Sequence, residues 1–178
     1  ALKLSEVDRA SLEAQGHKPH WRFKLASGTV RWSDVIHGEM AVPAASLSDP
    51  VVVREDGTPL YVFTSVVDDF DFGVSHVIRG DEHLMNTVPQ IQLFAALGVP
   101  APVFAHFALL VGPQGEKLSK RFGALSLAEL REQGIEPLAI TSMLARLGSA
   151  DPIEPRTALA DLVEGFDLSR FGRAPAHF

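Results

Sequence analysis

Residues 74–111, VSHVIRGDEHLMNTVPQIQLFAALGVPAPVFAHFALLV, decide the fold. Val74-Ser75-His76-Val77-Ile78 is an apolar run that reads as a buried strand. Val88 to Leu97 reads as a helix, with Thr87 ahead of it, Pro89 early, where a missing amide hydrogen costs little, and Gly98 behind it as a stop. Val103 to Val111 then reads as a second buried strand. Strand, helix and strand within about 35 residues is the size of a right-handed parallel crossover unit, and such units place ligand chemistry at the carboxyl ends of their strands. The expected class is α/β.

Two polar loops fall at those ends. Arg79-Gly80-Asp81-Glu82-His83 follows the first strand, where glycine lets backbone approach a ligand and the Arg79 guanidinium can grip a carboxylate or phosphate through two parallel hydrogen bonds. An arginine paired with Asp81 or Glu82 in a strand-to-helix turn explains the same residues. Beyond the second strand stands Lys117-Leu118-Ser119-Lys120-Arg121, among Gly112, Pro113, Gly115 and Gly123. Exposed backbone N–H groups, two lysine point charges and a serine hydroxyl together suit a nucleotide triphosphate, although a solvated basic turn has the same composition. Leu109-Leu110, just before the glycines, can offer backbone groups to an adenine ring while their side chains pack.

Outward from this unit, Ser5 and Asp8 have capping-box spacing for a helix that closes near Gly16. Short strands follow at Trp21 to Leu25, Thr29 to Trp32 and Val51 to Arg54, the last before an Asp56-Gly57 turn, so the first part reads as α+β. After Gly123 the chain turns helical: Ser126 caps Leu127 to Gln133, Pro137 opens Leu138 to Leu147, and Thr157 to Val163 is a third candidate.

Composition narrows the function. In 178 residues a hydrophobic fraction of 46% supports a sizeable core, and no apolar run approaches the roughly 20 residues that cross a bilayer, so no membrane role is expected. The absence of cysteine excludes disulfides, a thiolate nucleophile and thiolate-bound zinc; a reducing, cytoplasmic setting is the default. A formal charge of −6 argues against indiscriminate nucleic-acid binding and leaves a specific RNA open. His17 and His20 have no acidic or thiol companions, so no zinc is expected there. Asp68-Asp69-Phe70-Asp71 before Gly73 has the composition of a helix end. His106, inside an apolar strand, reads as a hydrogen-bonded core histidine rather than an acid-base catalyst. Tyr61, the single tyrosine, lies one helical turn before Thr64 and Ser65, and its hydroxyl suits a polar pocket or a satisfied core position equally.

In order along the chain, Tyr61 to Asp69, His76-Val77-Ile78-Arg79-Gly80-Asp81-Glu82-His83-Leu84, Phe104-Ala105-His106 to Leu110, and Lys117 to Arg121 resemble the glutamyl-tRNA synthetases. Lys-Leu-Ser-Lys-Arg resembles that family's version of the Lys-Met-Ser-Lys-Ser signature of class I synthetases. Phe166 to Pro175 resembles its stem-contact region. The resemblance implies the second half of a Rossmann-like nucleotide-binding domain over residues 57–113. Residues 1–56 would be part of an α+β connective, acceptor-binding insertion, and residues 114–178 the lysine loop and the start of a helical stem-contact domain.

The resemblance further implies glutamate, ATP with Mg2+, and tRNA as substrates. Tyr61, Ser65 and Arg79 would border glutamate; Glu82, Leu110, Lys117, Leu118, Ser119, Lys120 and Arg121 would border ATP. Lys117 and Lys120 would be the catalytic cations. Ser65 stands where some relatives carry asparagine, and His83 where certain members have tryptophan. The family's other nucleotide signature, His-x-Gly-His, is not in this sequence, and His37-Gly38-Glu39 does not supply it. The expectation is an internal piece of a longer enzyme, inactive by itself. A paralogue that glutamylates a modified tRNA base and a non-catalytic RNA-docking module are the alternatives. An unrelated dinucleotide-binding protein would show a Gly-x-Gly-x-x-Gly turn, and none is present.

Overall fold

A computed structural model describes residues 4–112, 114–115 and 126–177. The chain divides into two compact units, one made of residues 1–30, 41–74 and 86–102, the other of residues 31–40, 75–85 and 103–178.

The first unit begins with α1 (Glu6–Ala14), opened by the expected capping box: the Ser5 hydroxyl accepts from the Asp8 amide, and the Asp8 carboxylate accepts from the Ser5 amide. Strand β1 is only Trp21–Arg22, shorter than the five residues expected, and pairs antiparallel with β4 (Val51–Val53). Asp49 explains the early end: its carboxylate takes the Leu25 amide at 2.9 Å and so removes a donor from any longer ladder. The turn at Asp56-Gly57 closes as read, with Gly57 at φ +87°.

Helix α2 (Tyr61–Asp71) then packs against α3 (Thr87–Leu97). Val66, Val88, Leu93 and Phe94 are buried in this unit, and the acidic run ends α2 as its composition implied. Helix α3 begins one residue before the Val88 expected, taking in Thr87, and ends as read from sequence: Gly98 adopts φ +74°, which lets the Gly98 and Val99 amides fold back on Ala95 and Phe94 carbonyls.

The second unit is built on a four-stranded sheet in the order β3-β2-β6-β5, to which β2 (Thr29–Asp34) and β3 (Gly38–Pro43) contribute residues 31–34 and 38–40. Strand β5 (His76–Gly80) runs parallel to β6 (Val103–Phe107) in continuous register, from His76 opposite Val103 to Gly80 opposite Phe107. Two expectations need correction. The first strand is displaced by two residues and is not buried, because it is the edge of the sheet among the described residues and Ile78 is half exposed. The run from Val103 to Val111 is not one strand either. It breaks after Phe107 and resumes as β7 (Leu110–Val111), which pairs with β8 (Ala176–His177) instead of continuing beside β5.

Helices α4 (Leu127–Glu132), α5 (Pro137–Leu144) and α6 (Leu159–Glu164) follow. The first carries the Ser126–Glu129 capping box. The second stops three residues before the expected Leu147, in a turn where Ser149 Oγ bonds back to the Arg146 carbonyl. Phe171 ties this region to the sheet: it joins Ile36 and Ala105 in one apolar cluster and meets Phe107 edge-on, with ring centroids 4.7 Å apart.

Candidate active site

Parallel register places Arg79 directly beside His106. Side chains alternate along a strand, so Phe104 and His106 share one face of β6, and Arg79 emerges on that same face near the carboxyl end of β5. Its Nε donates to His106 Nε2 at 3.1 Å, its Nη2 donates to the His83 carbonyl at 3.3 Å, and its guanidinium carbon lies 5.7 Å from the centre of the Phe104 ring. The His83 carbonyl belongs to the 3-10 segment Asp81–Asn86, so the turn that follows Gly80 returns the chain onto its own arginine. The pairing of Arg79 with Asp81 or Glu82 that sequence allowed is replaced by this set.

Behind His106 lies Asp34, at the end of β2. Both side chains are fully buried, and Asp34 Oδ2 lies 2.5 Å from His106 Nδ1. The other carboxylate oxygen, Oδ1, accepts from the backbone amides of Ile36 at 3.1 Å, His37 at 2.9 Å and His106 at 3.3 Å. Burial pushes the Asp34 carboxyl upward, but the hydrogen bonds from His106 and from these amides outweigh it and hold the group below its ordinary value. Burial also lowers the proton affinity of His106; Asp34 opposes that shift only partly, while the Arg79 and His37 charges add to it. The buried imidazole is therefore neutral near pH 7, and this core histidine is the one sequence anticipated.

Glu82 is exposed, and its carboxylate folds back over Gly80, where any Cβ would overlap it. A side chain at position 80 would displace only this exposed carboxylate, so the contact is a soft constraint on glycine. Leu110 borders an apolar pocket of about 270 Å³ with Phe107, Ala108, Leu144, Leu147 and Phe171. Tyr61 and Ser65 come together on α2 in the first unit, one turn apart, with Tyr61 about half exposed. Ser65 Oγ accepts from the buried Gln90 Nε2 at 2.7 Å, which fixes its hydroxyl toward α3. Lys117, Leu118, Ser119, Lys120 and Arg121 lie outside the described residues.

Asp34 was missed by the sequence reading. Its local signal is an aspartate two and three residues ahead of amides it accepts, with Gly38 at φ +74° next in line, the pattern of a side-chain-closed turn. His20, by contrast, accepts from the Glu55 amide at 3.2 Å, and no group of three or more metal-ligating side chains converges among the described residues.

Parallel strands with an arginine braced at the carboxyl end of one of them put a ligand-binding group where α/β catalytic domains hold their substrates. Residues 1–169 match the family of class I tRNA synthetases (E and Q), catalytic domain, and the chain belongs to it. All of the chain aligns with glutamate–tRNA ligase 2 of Ruegeria sp. (strain TM1040) at 54% identity over 178 residues, and with the glutamate–tRNA ligase of Azospirillum brasilense at 54% over 179. The chain spans 40% of the length of each. Among solved structures, a glutamate tRNA ligase from Elizabethkingia meningosepticum, crystallised with its amino acid, superimposes with a TM-score of 0.83 at 32% identity, over 100% of this chain and 39% of the other. The synthetase from Elizabethkingia anophelis matches at the same TM-score and identity. No described helix is long and apolar enough to cross a membrane.

Proposed function

We propose that this chain is the part of a glutamate–tRNA ligase that carries one wall of the glutamate site and the second half of the ATP site. The observation that supports it is the Arg79 guanidinium, fixed at the carboxyl end of β5 by a buried acid–imidazole pair, in a chain of this family. In the proposed reaction the α-carboxylate of glutamate attacks the α-phosphate of ATP, supplied with Mg2+. Glutamyl-adenylate forms and pyrophosphate leaves; a ribose hydroxyl at the 3′ end of tRNA then takes the glutamyl group and AMP departs.

Arg79 grips a glutamate carboxylate, with Tyr61 and Ser65 as further borders of the amino acid. Glu82 and Leu110 border ATP, with Leu110 offering its backbone beside the base. Lys117 to Arg121 neutralise the phosphates, Lys117 and Lys120 carrying the charge that develops as pyrophosphate leaves. Residues 1–56 belong to the acceptor-binding insertion, residues 57–113 to the nucleotide domain and residues 114–178 to the lysine loop and stem-contact region. The setting for such an enzyme is the cytoplasm.

The test is glutamate-dependent exchange of radiolabelled pyrophosphate into ATP. The isolated 178-residue chain, at 40% of its relatives' length, is expected to support none, and the intact ligase carrying it is expected to lose exchange on Arg79→Ala. Exchange by the isolated chain would overturn the division of the site. An Arg79→Ala ligase with unchanged kinetics would overturn the assignment of the arginine.

A further inference from the structure

We propose that Asp34 and His106 are positioning residues that lock one imidazole tautomer, and through it the plane in which Arg79 is presented to the glutamate carboxylate. The inference rests on the reading of Arg79 as the carboxylate clamp and extends it inward by two residues.

Hydrogen-bond bookkeeping fixes the tautomer. Arginine is always a donor, so His106 Nε2, 3.1 Å from Arg79 Nε, must be the bare acceptor. The ring proton therefore sits on Nδ1 and points at Asp34 Oδ2, 2.5 Å away. Asp34 is fixed in turn, because three backbone amides occupy Oδ1 and leave Oδ2 for the ring. A carboxylate that accepts at every site can only stabilise the Nδ1–H form. Arginine side chains otherwise sample many rotamers; here Nε is pinned by His106 and Nη2 by the His83 carbonyl, so the direction of the fork is set before substrate arrives.

Asp34→Asn tests the lock with almost no change in size. The three amide donors hold the asparagine oxygen at the Oδ1 position, which turns the Nδ2 hydrogens toward His106. The ring must then accept through Nδ1 and carry its proton on Nε2, facing the Nε–H of Arg79, donor against donor. Reversal of the tautomer through an aspartate-to-asparagine change is an effect known to disable a histidine without displacing it. Two substitutions at 106 separate the halves of the relay. His106→Asn keeps a donor toward Asp34 and loses the acceptor for Arg79; His106→Gln reaches far enough to offer Arg79 an amide oxygen.

In the intact ligase, Asp34→Asn and His106→Asn are expected to raise KM for glutamate by about tenfold or more while KM for ATP stays within about twofold, and His106→Gln to recover most of the difference. The wild type gives a reading that does not depend on any variant folding. Nitrogen-15 NMR of labelled histidine, with the His106 signal assigned by its loss in His106→Asn, is expected to show a protonated Nδ1 and a bare Nε2 near neutral pH. The groups facing His106 are Asp34, Arg79 and His37, and lowering the pH protonates Nε2 and releases Arg79, so glutamate KM rises with acidity in the wild type and less in His106→Gln.

A proton on Nε2 in the wild type overturns the inference, as does an equal rise in both KM values or an inactive His106→Gln beside an active His106→Asn. If Arg79→Ala leaves glutamate KM unmoved while the tautomer is as stated, the clamp reading is what fails, and the positioning role falls with it.

Discussion

Two charged networks in the second unit are built from the same chemistry and behave differently. Asp34 and His106 are fully buried, and both oxygens of the carboxylate are occupied by donors from β6 or the turn after Asp34. Asp151 instead bridges two arginines: Arg146, whose Nη1 lies 3.1 Å away and also donates to the Gly165 carbonyl at 2.6 Å, and the half-exposed Arg170. The first network spends its rigidity on presenting a third residue. The second ties the segment between α5 and α6, which holds Ser149 and Asp151, to Gly165 at the end of α6, all through Arg146. Both networks contain a buried carboxylate, but only the first holds a guanidinium at the carboxyl end of a strand, where the proposed clamp lies.

The largest expected effect breaks the first network at its working end. If Arg79 is the proposed carboxylate clamp, Arg79→Ala in the intact ligase should lower kcat/KM for glutamate in pyrophosphate exchange by about 10²-fold or more, the effect of losing a preorganised donor pair. A change below threefold in that assay would make the two networks equivalent in kind.

Next is the second network. Asp151→Ala leaves the nearly buried Arg146 guanidinium without its carboxylate and should cost about 3 kcal/mol in denaturant unfolding, near the value for breaking a buried pair from one side. Its glutamate KM should not move, which is the contrast with Asp34→Asn.

A pH effect separates the two further. The folded chain holds His106 below its ordinary value of 6.5, chiefly through burial, so the unfolded chain binds the proton more readily. The associated stability is complete above pH 6.5 and is lost as pH falls through the depressed value. The Asp34 shift has the same direction and acts lower, below its ordinary 3.8. Unfolding midpoints measured from about pH 8 to pH 5 should fall with acidity in the wild type and fall less in His106→Gln. Parallel curves would remove His106 as the titrating group.

The smallest effect is Arg170→Ala, about 0.5 kcal/mol, because a half-exposed guanidinium at a surface pair is screened by solvent and salt. A loss equal to that of Asp151→Ala would show that the loop depends on the whole bridge.

Much of the fold was legible because its signals are local. Ser5 and Asp8, Ser126 and Glu129, and Gly98 each act within four residues, so the ends of α1, α3 and α4 follow from the sequence alone. Arg79 was legible too, as a guanidinium beside a glycine at a strand end. The two strands of the crossover were legible as elements and misjudged in extent, since apolar content says nothing of which strand stands at an edge or where β6 gives way to β7. β3 was not read at all: its exposed and half-buried residues alternate without a strong apolar stripe.

What the chain determined by itself is thus the order of its elements, the helix ends and the presence of an arginine where a ligand could meet it. Only the tertiary structure decided what aims that arginine. Asp34 and His106 are 72 residues apart, and His106 and Arg79 are 27 apart. They meet because β6 lies between β2 and β5 in one register, and a shift of a single residue would turn His106 to the opposite face of the sheet.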